Sequence, residues 1–95
     1  MIDREIIEEC RNGNLHSFKQ LVEITTRPAF NVSFRIMGDE EEARDIVQES
    51  MITIWKNIRN IKSPGGFKTW FYRIVVNKCY DRLRKRKANP EYIAD

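Results

Sequence analysis

The stretch Asp39-Glu40-Glu41-Glu42-Ala43-Arg44-Asp45-Ile46-Val47-Gln48-Glu49-Ser50-Met51-Ile52-Thr53-Ile54-Trp55-Lys56-Asn57-Ile58 decides the fold. Counted from Ala43, the residues Ile46, Val47, Met51, Ile54, Trp55 and Ile58 fall at i+3, i+4, i+8, i+11, i+12 and i+15. That recurrence follows the 3.6-residue period of an α-helix and lays a continuous apolar stripe along one side. Asp39 with Glu42 three residues on reads as a capping box with Asp as the cap. The acidic run Glu40 to Glu42 suits the positive end of the helix dipole.

Outward from this helix, Gly and Pro fall at the edges of further helix-like segments. Ile6, Ile7 and Cys10 have helical spacing within Asp3 to Arg11, and Asn12-Gly13 ends that segment. Asn14 then caps a second helix with Leu15, Phe18, Leu21 and Val22 on its apolar side. Pro28 either kinks this helix or divides it, and the spacing resumes with Phe30, Phe34 and Met37 up to Gly38. After a loop from about Asn60 to Gly66, Ser63-Pro64 reads as an N-cap followed by Pro at the first helical position. A last helix is expected from Phe67 to Lys87, because Asn89-Pro90 opposes continuation. No segment alternates as a half-buried strand does. The expectation is an all-α fold, a compact bundle of about four helices, with a domain over 1–87 and a linker or frayed tail over 88–95.

The 95 residues suit one domain, and 41% apolar with 33% charged content is that of a globular chain. Two isolated cysteines, Cys10 and Cys79, exclude a disulfide scaffold and fit a reducing compartment. With no spanning apolar run and no signal-peptide pattern at Met1 to Glu5, the reading is a cytoplasmic protein without membrane insertion. Catalytic residues are scarce. His16 is the only histidine and has no nucleophile beside it, and Cys10, His16 and Cys79 match no metal-site spacing. The expectation is a non-enzyme with no cofactor and no metal.

Charge is distributed unevenly. Residues 1–50 hold six Lys/Arg against eleven Asp/Glu, whereas residues 51–95 hold eleven against three. The second half therefore attracts polyanions. In the last helix, Thr69, Arg73, Asn77, Tyr80 and Arg84 share a polar face, opposite Phe67, Phe71, Ile74, Val75 and Cys79. Cations neutralise phosphates, an amide reads a base edge, and an aromatic ring stacks on an unpaired base. The segment ends in Arg82-Leu83-Arg84-Lys85-Arg86-Lys87. On the third helix, Asp45, Gln48, Glu49 and Ser50 are expected to project away from the apolar stripe, as a solvated face or as a dock for a basic protein helix.

The segments Asp39 to Glu49, Ile54-Trp55 and Phe67-Lys68-Thr69-Trp70-Phe71-Tyr72-Arg73-Ile74-Val75-Val76-Asn77 resemble region 2 of bacterial RNA polymerase sigma factors, in the extracytoplasmic-function (ECF) group of the sigma-70 family. The resemblance implies a transcription initiation domain that docks on the β′ clamp coiled coil of RNA polymerase core through Asp45, Gln48 and Glu49. It also implies recognition and opening of the promoter minus-ten element by capture of the non-template strand. The loop Ile61 to Phe67 would form a pocket for a flipped base. Lys62, Ser63, Phe67, Lys68, Thr69, Trp70, Arg73, Asn77, Tyr80 and Arg84 would form the DNA-facing set. An anti-sigma factor is a further implied partner. The competing reading is a protein-interaction module, held by such a regulator and with little DNA affinity of its own.

Overall fold

The computed structural model describes residues 2–88. Within them the chain forms α1 (Arg4–Arg11), α2 (Leu15–Met37), α3 (Glu40–Asn57) and α4 (Phe67–Ala88). Two short 3₁₀ turns, Ile58–Asn60 and Pro64–Gly66, connect α3 to α4. The all-α bundle expected from periodicity is the fold. Ala88 closes α4, and the rest of the expected tail, residues 89–95, lies outside the described residues.

The helix starts follow the side chains that cap them. The Asp3 carboxylate accepts from the Glu5 N–H at 3.1 Å, Asn14 Oδ1 from the Ser17 N–H at 3.0 Å, and Asp39 Oδ1 from the Glu42 N–H at 3.0 Å. Each satisfies an amide that the first helical turn leaves unpaired. At the end of α2, Gly38 adopts φ +71° and donates its N–H to the Phe34 carbonyl at 2.8 Å. A Cβ at Gly38 would meet nothing within 4 Å, so only backbone conformation resists substitution there. Gly38→Ala is therefore expected to cost about 1 kcal/mol in a denaturant melt, the left-handed penalty alone. A loss several times larger would show that the turn itself had been displaced.

Pro28 does not divide α2, which runs without interruption from Leu15 to Met37. One turn earlier, Thr25 and Thr26 donate their hydroxyls to the Leu21 and Val22 carbonyls at 2.7 and 2.6 Å. The start of α4 also differs from expectation. Ser63 is extended and its side chain caps nothing, while Pro64 opens a 3₁₀ turn rather than the helix proper. Proline still fits there, because that position needs no amide donor.

α2 is the central element and packs against α1, α3 and α4, while α3 and α4 also pack on each other. The core joins Ile7, Leu21, Ile46, Ile54, Ile58, Phe67, Phe71 and Val75, all buried. Ala29, Ser33, Ala43, Ser50 and Cys79 are buried as well, and their small side chains let the helix backbones approach closely. Ser50 thus departs from its expected outward place. Its hydroxyl is buried without a hydrogen-bond partner. Burial pushes the Cys10 thiol up to about 11, with the neighbouring Glu9 carboxylate adding to the shift. Burial also raises Cys79, against the opposing Ser33 hydroxyl and Arg82 charge. Both thiols stay protonated at neutral pH and serve as small core residues.

Candidate nucleic-acid and partner interface

α4 sets the geometry of the site. Phe67, Phe71, Val75 and Cys79 follow an i, i+4 stride and all turn inward. The same helical turn therefore directs Thr69, Arg73, Asn77, Tyr80 and Arg84 to solvent, and every one of them is exposed; Lys68, exposed as well, lies apart from that line, at the cleft beside the loop. Lys62 and Ser63, on the approach to α4, are exposed as well. The row presents cations, an amide and a phenol in one line. A carboxylate adjoins it at Asp81, which pairs with Arg84.

Phe67 does not belong to that outward set. It is 1% exposed, stacks on Phe71 with ring centroids 5.8 Å apart, and meets the Trp70 ring at 5.9 Å. As the first residue of the inward stripe it anchors α4 to the core, and it lines the inner wall of the cleft beside the loop rather than the outward row. Trp70 is half-buried, packed on the core through Phe67 with one edge left to solvent.

Beside the loop lies a cleft of about 390 Å³, which α1 and α2 help to close. Pro64 and Gly65 line it from the loop and Ile24 and Pro28 from α2, and Arg4, Thr25, Lys68 and Tyr72 are its polar residues. The Arg4 guanidinium sits 3.4 Å from where a Cβ on Gly65 would be, so a larger residue there would crowd it. Arg4 escapes a reading by spacing, because only the tertiary packing of α1 brings it to the loop, where it meets Tyr72 of α4.

α3 carries the second surface. Asp45, Gln48 and Glu49 are exposed. Next to Gln48, an apolar groove of about 430 Å³ runs between α2 and α3. Phe18 and Trp55 form its floor with centroids 4.7 Å apart, and Leu15 and Ile52 stand on its rim, 55% and 51% exposed. Such a groove suits an apolar protein contact better than a phosphate backbone. The basic end of α4 reaches back to this helix: Arg82 pairs with Glu49 and Asp45, and Arg86 with Glu42.

The sigma-70 region 2 family model matches residues 21–89, which takes in most of α2 and all of α3, the loop and α4. The chain belongs to the sigma-70 region 2 family. It is 34% identical to the ECF RNA polymerase sigma factor SigW of Bacillus subtilis (strain 168), over all of this chain and 50% of that protein. It is 30% identical to the ECF RNA polymerase sigma factor SigM of Mycobacterium tuberculosis (strain ATCC 25618 / H37Rv), over 93% of this chain and 45% of the relative. The RNA polymerase sigma-H factor of Pseudomonas aeruginosa is 28% identical over 93% of this chain and 46% of its own length. This sigma region 2 domain, of the ECF group, therefore spans about half the length of the curated relatives it matches. No described helix is long and apolar enough to cross a membrane.

Proposed function

We propose that this sigma region 2 domain binds two partners on two faces. Asp45, Gln48 and Glu49 dock on the β′ clamp coiled coil of RNA polymerase core. The outward row of α4 captures the non-template strand of the minus-ten element. The observation that carries the reading is the row itself: Thr69, Arg73, Asn77, Tyr80 and Arg84 are all exposed along one side of one helix. The cations hold the backbone, and Asn77 reads a base edge. Lys62 and Ser63 extend the strand's path toward the cleft. There an unpaired base can lie against Tyr72 and the apolar wall, with Arg4 and Lys68 near its phosphates.

Capture of this kind opens DNA without bond-making chemistry. Separating one base-pair step costs about 1.4 kcal/mol, and one base stacked on an aromatic side chain returns roughly 1–3 kcal/mol. A few bases held on one strand therefore shift the balance toward the open form.

The apolar groove beside Gln48 favours a second reading, a protein-interaction module held by an anti-sigma factor. Gln48→Ala separates the faces, because Gln48 borders the groove and lies away from the α4 row. Binding of a β′ clamp fragment is expected to weaken about tenfold, or about 1.4 kcal/mol. Single-stranded DNA binding should stay unchanged and fall steeply with salt, measured by fluorescence anisotropy. Unchanged clamp binding would remove Gln48 from the interface. DNA binding that is absent at every salt concentration would favour the interaction module.

A further inference from the structure

The polar side chains of the cleft beside the loop are chiefly donors. Among the described residues that line it there is no carboxylate, and Arg4 and Lys68 offer N–H groups alone. Thr25 is 1% exposed, and its hydroxyl is already given to the Leu21 carbonyl at 2.7 Å. Tyr72 is left as the one lining side chain with an uncommitted hydroxyl. Arg4 itself is exposed and, among the described residues, pairs with no acid: Glu8, one turn further along α1, is taken by Arg11. A cation in the first turn of α1 opposes the helix dipole, so helix stability does not explain its place. Its guanidinium instead lies against the loop, 3.4 Å from where a Cβ on Gly65 would stand.

Resting on the strand capture proposed above, we propose that Arg4 determines which unpaired base the cleft accepts, and that this base is guanine or cytosine. Both cations draw the strand in. Lysine is a point charge, however, whereas arginine holds its N–H groups in a rigid fork that needs two acceptors side by side. Guanine presents such a pair as O6 and N7, and an unpaired cytosine presents one as N3 and O2. Adenine sets its N6 amino group beside both N7 and N1, and thymine sets N3–H between O2 and O4. Against the fork, that donor meets a donor, and a polar group stays unpaired on each side. The apolar lining does not choose, because every base has a face to lay against Tyr72, Ile24 and Pro28. Size does not choose either, since about 390 Å³ is room enough for a small planar ligand of either ring size. Hydrogen bonding to Arg4 makes the selection.

The test is fluorescence anisotropy with short labelled oligothymidine strands, one of them all thymine and the others carrying a single central guanine, cytosine or adenine. The unchanged domain is expected to bind the guanine and cytosine strands about fivefold more tightly than the adenine and thymine strands, the lower end of what a bidentate contact discriminates. Glutamine pairs instead with N6 and N7 of adenine, so R4Q is expected to move the preference to adenine. R4A is expected to bind the strands alike. A part in merely holding the loop or attracting phosphates would lower binding to every strand by one factor. R4A with its guanine and cytosine preference intact would therefore overturn the assignment, and so would R4Q without a gain for adenine. Should either variant lower the melting temperature, R4K decides, because it keeps the charge and loses the fork. The thymine strand should then bind as before while the cytosine preference falls, and an undiminished preference counts against Arg4. If the unchanged domain binds no strand at any salt concentration, strand capture itself is overturned, and this assignment with it. If it binds all strands alike, strand capture stands and the role of Arg4 alone is lost.

Discussion

Phe67→Ala is expected to lower the unfolding free energy by about 3–5 kcal/mol. The ring is almost wholly enclosed and stacks on Phe71, so truncation loses its transfer free energy and leaves a cavity at the base of α4. A domain of this size has a total stability of only about 5–15 kcal/mol. Such a variant is close to unfolding at ordinary temperature. The measurement is a urea melt followed by far-ultraviolet circular dichroism, with the midpoint falling and the slope unchanged. Loss of DNA binding by this variant should track the unfolded fraction and recover when the fold is stabilised by cooling or an osmolyte. A variant that stays folded yet fails to bind DNA would return Phe67 to the interface and contradict its burial.

Phe67 also shows where a reading by sequence reaches its limit. The inward stride of Phe67, Phe71, Val75 and Cys79 is legible from spacing, and so are the caps Asp3, Asn14 and Asp39 and the outward row of α4. These are local properties: a side chain's direction follows from the helix geometry and its place in the turn. Phe67 sits at the meeting of loop and helix, where the loop's expected role competes with the first position of the inward stripe. Burial decided the competition. Ser50 departs from its expected face for a related reason. A hydroxyl residue reads as polar surface in sequence, but its small volume lets it fill a close contact between helices. The resemblance implies a pocket at the loop, but not Arg4, which reaches the cleft at Pro64 and Gly65 only through the tertiary packing of α1.

Charge segregation along the chain acquires a different meaning in three dimensions. Read as a line, the acidic first half and basic second half separate a face that repels nucleic acid from one that attracts it. In the fold, part of that asymmetry is spent internally. Glu42, Asp45 and Glu49 recur at i, i+3 and i+7 on α3, and Arg82 and Arg86 recur at i and i+4 on α4. These complementary spacings align when the two helices pack side by side. The basic helix expected to meet the acidic face of α3 is, in the free domain, the chain's own α4. Arg73 on the outward row, Lys68 at the cleft and Lys62 on the approach are exposed and outside these pairs, and Arg84 is held only by its exposed neighbour Asp81. That division gives Arg84 and Arg82, two residues apart, different roles.

On the same row, Asn77→Ala is expected to weaken binding to the preferred non-template sequence by about 1–3 kcal/mol, or roughly 5–150-fold. Asn77 is exposed midway along α4 and carries both a donor and an acceptor, which is what reading a base edge requires. Alanine removes both and leaves the base's own groups unpaired at the interface. The substitution also raises intrinsic helix propensity at an exposed position, so loss of binding cannot be assigned to a weakened helix. Arg73→Ala is the contrasting variant, because a cation on a phosphate carries no sequence information. It should weaken preferred and random sequences alike and reduce the salt slope by about one. The preferred sequence comes from selection on a randomised non-template-strand library in the presence of the β′ clamp fragment, and both variants are then titrated on selected and random strands. Equal losses on the two strands with Asn77→Ala would mean that α4 holds the backbone only. The base preference would then have to come from the cleft beside Gly65, where Tyr72 and Arg4 would become the residues to replace.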